Sequence, residues 1–181
     1  LRSVHLLGGQ SHVGPQTASP LTPEVWDATA MATVSYGHGI SLSLMQLARA
    51  YTIFTNDGVL MPVSFFRLDQ AMPGKPVLKP DTARKMRDML MTVTQPGGTA
   101  PRAQVLGFNV GGKTGTAHKQ EGRGYAASKY ISSFVGFAPA TRPRLIVAVL
   151  IDEPQGQYYG GTVAGPVFSN GMAGRLRMVG V

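Results

Sequence analysis

The chain has 181 residues, enough for one domain with a real core, and its 43% apolar and 14% charged composition excludes an intrinsically disordered chain. The formal net charge of +8 is spread over scattered residues such as Arg84, Lys85 and Arg87, with no basic block interleaved with aromatics, which argues against a nucleic-acid surface. With no cysteine there are no disulfides or thiolate metal sites, and no run approaches the roughly 18 apolar residues of a membrane helix.

The sequence opens on Leu1-Arg2-Ser3, without an initiator methionine or signal peptide. It is therefore expected to be a piece of a longer chain whose anchor or export signal lies upstream. Residues 1–23, rich in Gly, Pro, Ser and Thr, read as loop. A short helix is predicted from Pro23 to Val34, capped by Thr22, and Ser35-Tyr36-Gly37-His38-Gly39 then reads as a turn. Leu44, Leu47, Ala48 and Tyr51 recur at helical spacing, flanked by Met45 and Phe54, and Asn56-Asp57-Gly58 supplies the stop.

Residues 59–68 look extended and 69–79 form a Pro/Gly loop. A second helix starts near Pro80-Asp81, with Met86, Met89, Leu90 and Val93 as its predicted buried face, and ends at Pro96-Gly97-Gly98. Strands are predicted over Val110–Ala117, Tyr130–Ala138 and Arg144–Asp152, the last two joined by a Pro139–Pro143 hairpin. A closing helix begins around Pro166 and carries Val167, Phe168, Met172 and Leu176. The sum is α+β: an antiparallel sheet flanked by helices.

Residues 107–114 match the phosphate-loop pattern G-x-x-x-x-G-K-[ST], and Leu145–Asp152-Glu153 resembles the strand that ends on a magnesium-binding aspartate. Context excludes a nucleotide hydrolase. A phosphate loop needs a buried strand before it and a helix immediately after, because the helix N-terminus binds phosphate. Here Ala100–Gln104 is a poor central strand, and the sequel is broken by Gly115, Gly122 and Gly124.

Lys113-Thr114-Gly115 has a second reading. On a strand, a lysine supplies the cation that a carboxylate-terminated substrate needs, and a hydroxyl at Thr114 or Thr116 adds a hydrogen bond. Glycine at 115 leaves room for a substrate backbone to lie against the strand as an added β-strand. A backbone N–H further along can serve an oxyanion hole, where one donor is typically worth roughly 3 kcal/mol.

The flanking motifs run in a fixed order: Ser35-Tyr36-Gly37-His38-Gly39, Gln46–Tyr51, Asn56-Asp57-Gly58, Pro96-Gly97-Gly98-Thr99, Gly112–Ala117 and Lys129-Tyr130-Ile131. Gly136–Ala140, Asp152-Glu153-Pro154, Tyr158-Tyr159-Gly160-Gly161 and Ala164–Phe168 complete the series. In this order they resemble class B penicillin-binding proteins, in particular septal peptidoglycan D,D-transpeptidases of the FtsI type. The resemblance implies the penicillin-binding/serine β-lactamase-like fold. It also implies serine-type transpeptidation: attack on the penultimate D-alanine of a stem peptide, release of the last one, and transfer to a neighbouring amine.

Under that resemblance Lys113 and Thr116 are the expected catalytic-cleft residues, with Thr116 contacting the substrate carboxylate and offering its N–H to the oxyanion. Thr114, Gly115, His118, Tyr158 and Tyr159 are the expected substrate contacts, the two tyrosines walling a side-chain pocket. Stem peptides and β-lactams are the implied ligands, and division proteins the implied partners. The expected location is the bacterial cytoplasmic membrane, with the domain facing the periplasm. No cofactor is implied, and His5, His12 and His38 lack metal-ligand spacing.

Two departures define the boundary of the resemblance. No serine has a lysine three residues later, and none of Asn56, Asn109 or Asn170 has a serine two residues before it. The S-x-x-K and S-x-N motifs are thus expected upstream, residues 1–181 being the C-terminal portion of a single transpeptidase domain. His38 and His118 also stand where relatives often carry other residues, an aromatic and a basic one respectively. A non-catalytic sensor of the same fold, binding β-lactam or muropeptide, is the alternative. Asp152 and Glu153, adjacent on a strand, are expected to point to opposite faces.

Overall fold

The computed structural model describes residues 22–35, 40–64, 68–121 and 124–181. The turn predicted around His38 and the loop predicted up to residue 21, with His5 and His12, lie outside the described residues. The first helix, α1, runs over Ala28–Ser35 and is capped not by Thr22 but by Asp27, whose Oδ1 accepts the Ala30 N–H at 2.7 Å. A carboxylate at the helix N-terminus satisfies an orphan amide and complements the dipole, so it sets the boundary five residues later than expected.

Helix α2 spans Leu44–Thr55 and begins with a reciprocal box: Ser43 accepts the Gln46 N–H while the Gln46 side chain accepts from Ser43 N–H. It ends at Asn56, after which Asp57 and Gly58 both take positive φ. The extended stretch predicted after it reduces, among the described residues, to β1 (Val59–Leu60). β1 pairs antiparallel with β2 (Lys75–Pro76), inside the segment expected to be loop.

Helix α3, Pro80–Thr92, buries Ala83 and Leu90, but Met89 is 56% exposed and does not belong to the buried face. Its place is taken by Arg87, which falls within the stripe defined by Ala83 and Leu90. The Arg87 guanidinium Nη1 donates to Phe54 O (2.8 Å) and Asp57 Oδ1 (2.9 Å), so a cation closes the C-terminal end of α2.

Three strands follow: β3 (Gly111–Glu121), β4 (Gly124–Ala138) and β5 (Leu145–Asp152), an antiparallel sheet in the order β3-β4-β5. The β3–β4 hairpin is longer than expected because Gly115 and Gly124 pair without breaking the ladder, and among the described residues only one register shift occurs, between His118 and Gln120. Thr94 Oγ1, buried, donates to Val110 O at 2.9 Å and fixes the entry to β3.

Strand alternation gives the sheet two covered faces. Val135 and Phe137, with Ile146 and Ala148 beside them, pack against Leu47, Tyr51 and Phe54 of α2 and against Leu90 and Met91 of α3. Phe134, with Val147 and Val149, packs on the other face against Phe168, Met172 and Leu176 of α4, which spans Gly160–Met178. Full burial of each such side chain contributes roughly 1.5–3 kcal/mol, so the three-layer arrangement is the principal source of stability.

Helix α4 starts six residues before the expected Pro166. Gly160 and Gly161, which read as breakers, form its first turn because that turn lies on backbone: a Cβ at 160 stands 2.5 Å from Gly115 O and nearer still to Ser133 O. A Cβ at 161 collides with Thr99 O. Pro166 removes the N–H that Thr162 O otherwise receives, and Arg102 Nη1 reaches that carbonyl at 3.4 Å from outside the helix.

Candidate functional site

β3 is an edge of the described sheet, and Lys113-Thr114-Gly115-Thr116 lies in its middle, opposite Val135, Phe134, Ser133 and Ser132 of β4. The strand runs on through residue 121 with no helix after Lys113-Thr114, as the exclusion of a phosphate loop requires. Lys113 and Gly115 belong to the face covered by α2 and α3, whereas Thr114, Thr116 and His118 belong to the α4 face.

The Lys113 side chain is exposed and folds along the strand, its Nζ donating to Thr114 O at 3.0 Å and lying 3.4 Å from Thr114 Oγ1. Thr114 Oγ1 in turn donates to Thr99 Oγ1 at 3.4 Å. The other two lysines of the hairpin are neutralised. Lys119 Nζ sits 2.7 Å from Asp152 Oδ2 and 2.8 Å from Glu153 Oε1, and Lys129 pairs with Glu121. Hydrogen bonds to Asp152 and then Glu153 push the Lys119 ammonium above the usual lysine range, and Glu121 does the same for Lys129. Among the described residues Lys113 meets no carboxylate, so its ammonium is left unpaired with an acid.

The convergence on Lys119 corrects the expected divergence of Asp152 and Glu153. Glu153 has φ 49°, which ends the pleat and swings its carboxylate to the same lysine as its neighbour's. Both residues serve as an ion-pair anchor at the strand end.

Thr116 Oγ1 accepts the N–H of Gly160 at 3.0 Å, 44 positions away. Next to it, buried Ser132 donates through Oγ to the carbonyl of Tyr158. These two hydroxyls, opposite one another in the β3–β4 register, tie the start of α4 and the tyrosines before it to the sheet. Tyr130 stacks on Tyr158 with centroids 4.1 Å apart, Tyr158 meets Tyr159 at 4.6 Å, and His118 meets Tyr130 at 4.5 Å. The result is a four-ring ladder on the α4 face, its Tyr159 end 59% exposed. The hydrogen bond to Tyr159 raises the Tyr158 phenol above its ordinary value. His118 Nδ1 lies 3.0 Å from Ala126 O; a carbonyl only accepts, so this nitrogen carries the proton.

The residues singled out from sequence therefore fall into two adjoining groups: the Lys113–Thr116 edge, and the His118, Tyr158 and Tyr159 ladder. Three contributors were missed. Thr99 supports Thr114, Ser132 seats Tyr158, and Gly160 engages Thr116. The available signal for Ser132 was a small hydroxyl amid the apolar Ile131–Ala138 run. For Gly160 it was the paired glycines directly after two tyrosines.

An edge strand offering an ammonium unpaired with any acid among the described residues, a side-chain-free position and hydroxyls suits an extended ligand that carries a carboxylate. The chain matches the penicillin binding protein transpeptidase domain family over residues 9–173, and it belongs to that family. It is 53% identical over 157 residues to the probable peptidoglycan D,D-transpeptidase PenA of Neisseria meningitidis, covering 86% of this chain and 27% of that protein. It is 36% identical over 177 residues to the peptidoglycan D,D-transpeptidase FtsI of Escherichia coli, covering 97% of this chain and 29% of that one. Among solved structures, the transpeptidase domain of penicillin-binding protein 3 from Burkholderia pseudomallei, in its apo form, superposes with a TM-score of 0.87 at 50% identity. That match covers 97% of this chain and 55% of the solved one. The chain thus spans under a third of each of these two curated relatives and about half of the solved chain.

Proposed function

We propose that this chain forms the substrate-binding wall of a peptidoglycan D,D-transpeptidase that cross-links stem peptides during septal wall synthesis and is acylated by β-lactams. The observation that carries this reading is the Lys113 ammonium, free of any carboxylate among the described residues, on the same edge strand as the Thr116 hydroxyl. In the parent protein a serine outside these 181 residues attacks the penultimate D-alanine carbonyl. The ester bond forms as the amide bond to the last D-alanine breaks, and the departing amine takes up the proton. Lys113 and Thr116 hold the substrate carboxylate, Thr114 and Gly115 accept the peptide backbone along the strand, and the Thr116 N–H supports the oxyanion. Tyr158 and Tyr159, with His118 at the far end of the ladder, wall the side-chain pocket.

The nucleophile and its S-x-x-K and S-x-N partners belong to the part of the same domain that precedes this sequence in the parent. Anchorage of the parent in the bacterial cytoplasmic membrane, with this domain facing the periplasm, is part of the same proposal and rests on the likeness to FtsI. Among the described residues no helix is long and apolar enough to cross a membrane. Division proteins are the proposed partners, on the strength of the likeness to FtsI.

The test is labelling of the full-length parent with fluorescent penicillin. A denaturation-resistant label on the wild type that is lost when the S-x-x-K serine is replaced by alanine supports the enzyme. Reversible binding without a covalent label supports the non-catalytic sensor instead.

A further inference from the structure

We infer that Gly160 is a positioning residue that acts through Thr116, fixing which way the Thr116 hydroxyl points its proton. A threonine hydroxyl has one proton and two acceptor lone pairs and rotates to suit its neighbours. The Gly160 N–H, 3.0 Å from Thr116 Oγ1, occupies a lone pair, so the O–H bond is turned away from α4. Among the described residues nothing accepts that proton. Donation into Oγ1 from the first turn of a 19-residue helix also polarises the O–H and makes it a stronger donor to an anion. The hydroxyl is thereby held as a donor before any ligand arrives.

This device requires glycine. A Cβ at 160 meets two backbone carbonyls, Gly115 O at 2.5 Å and Ser133 O closer still, and neither can swing aside as a side chain would. Any other residue lifts the first turn of α4 off the strand and lengthens the bond to Thr116. Ser132, holding Tyr158 O, and Gly161, pressed on Thr99 O, keep the turn seated from either side.

The inference rests on the reading above, in which Thr116 meets a ligand carboxylate, and the test separates the two. In the full-length parent, acylation rate constants are measured with benzylpenicillin and with its methyl ester, which lacks the carboxylate charge. Gly160→Ala is expected to slow acylation by the free acid roughly tenfold, the worth of one hydrogen bond to a charged group, and to change the ester rate much less. Thr116→Val should do the same and Thr116→Ser should restore the rate. In the double variant Gly160→Ala with Thr116→Val, the loss should not exceed that of Thr116→Val alone.

Replacement of the Gly160 amide by an ester, through incorporation of glycolate, removes the N–H and adds no Cβ. It keeps the test open should Gly160→Ala fail to fold, and is expected to show the same preference for slowing the acid. Equal losses on acid and ester, or additive losses in the double variant, overturn the inference and leave Gly160 a packing residue. Absence of labelling in the wild-type parent overturns the functional reading, and this inference with it.

Discussion

The hydroxyl of Ser132, buried in the middle strand, donates to the carbonyl of Tyr158 and thereby fastens the tyrosine pair to the sheet. Ser132→Ala leaves that carbonyl without its side-chain donor at a partly buried position. The expected cost is about 1–2 kcal/mol of unfolding free energy in the parent, read by urea titration. The variant should also loosen the Tyr130–Tyr158 stack, lowering affinity for β-lactams with bulky side chains more than for small ones. A stability loss without that selectivity removes the tyrosines from the binding wall.

Lys113→Ala in the parent should slow penicillin acylation roughly 10- to 100-fold, the range for a hydrogen bond to a charged group. The side chain is exposed and joins no ion pair among the described residues, so the melting temperature should barely move. An unchanged acylation rate, measured alongside an unchanged melt, removes Lys113 from the site.

High pH should destabilise the fold through Tyr51, which packs edge-on against Phe54 and beside Phe137. Burial pushes its phenol from 10.0 up to about 12. The raised value means the folded state holds its proton longer than the unfolded chain does. Its contribution is therefore complete below about pH 10 and declines as pH rises towards 12, by on the order of 2 kcal/mol. Comparison of wild type with Tyr51→Phe at pH 9 and pH 11.5 isolates this group. If both proteins lose stability equally over that range, Tyr51 is not the cause.

The 181-residue chain on its own should resist covalent labelling by fluorescent penicillin, because none of its serines has a lysine one helical turn later. A label that survives denaturation identifies a nucleophile within these residues and refutes the assignment of the serine to the preceding part of the domain.

The architecture was legible where side-chain periodicity carries it. Leu44, Leu47 and Tyr51 marked α2, and the apolar runs after Tyr130 and Arg144 marked β4 and β5. Periodicity failed where backbone contacts decide. Gly160 and Gly161 read as a break in the chain, yet they begin α4, because only a bare turn fits against Gly115 and Thr99. Met89 and Arg87 were exchanged, since an aliphatic arm with a well-paired guanidinium occupies a core stripe as readily as a methionine does. For the candidate site, the strand position of the Lys113–Thr116 edge was legible from residue type. Its supports were not, because the partners Thr116 and Gly160 stand 44 positions apart and meet only when α4 folds onto the sheet.

The turn at Glu153 has an electrostatic consequence for ligand capture. By drawing two carboxylates onto Lys119, it offsets the positive charge at that end of the hairpin, and among the described residues Lys113 is left without an acidic partner. An anion approaching this edge meets one lysine of the hairpin that is unpaired with any acid among the described residues. Its association rate should then fall only gently with ionic strength, as for a single pair of opposite charges.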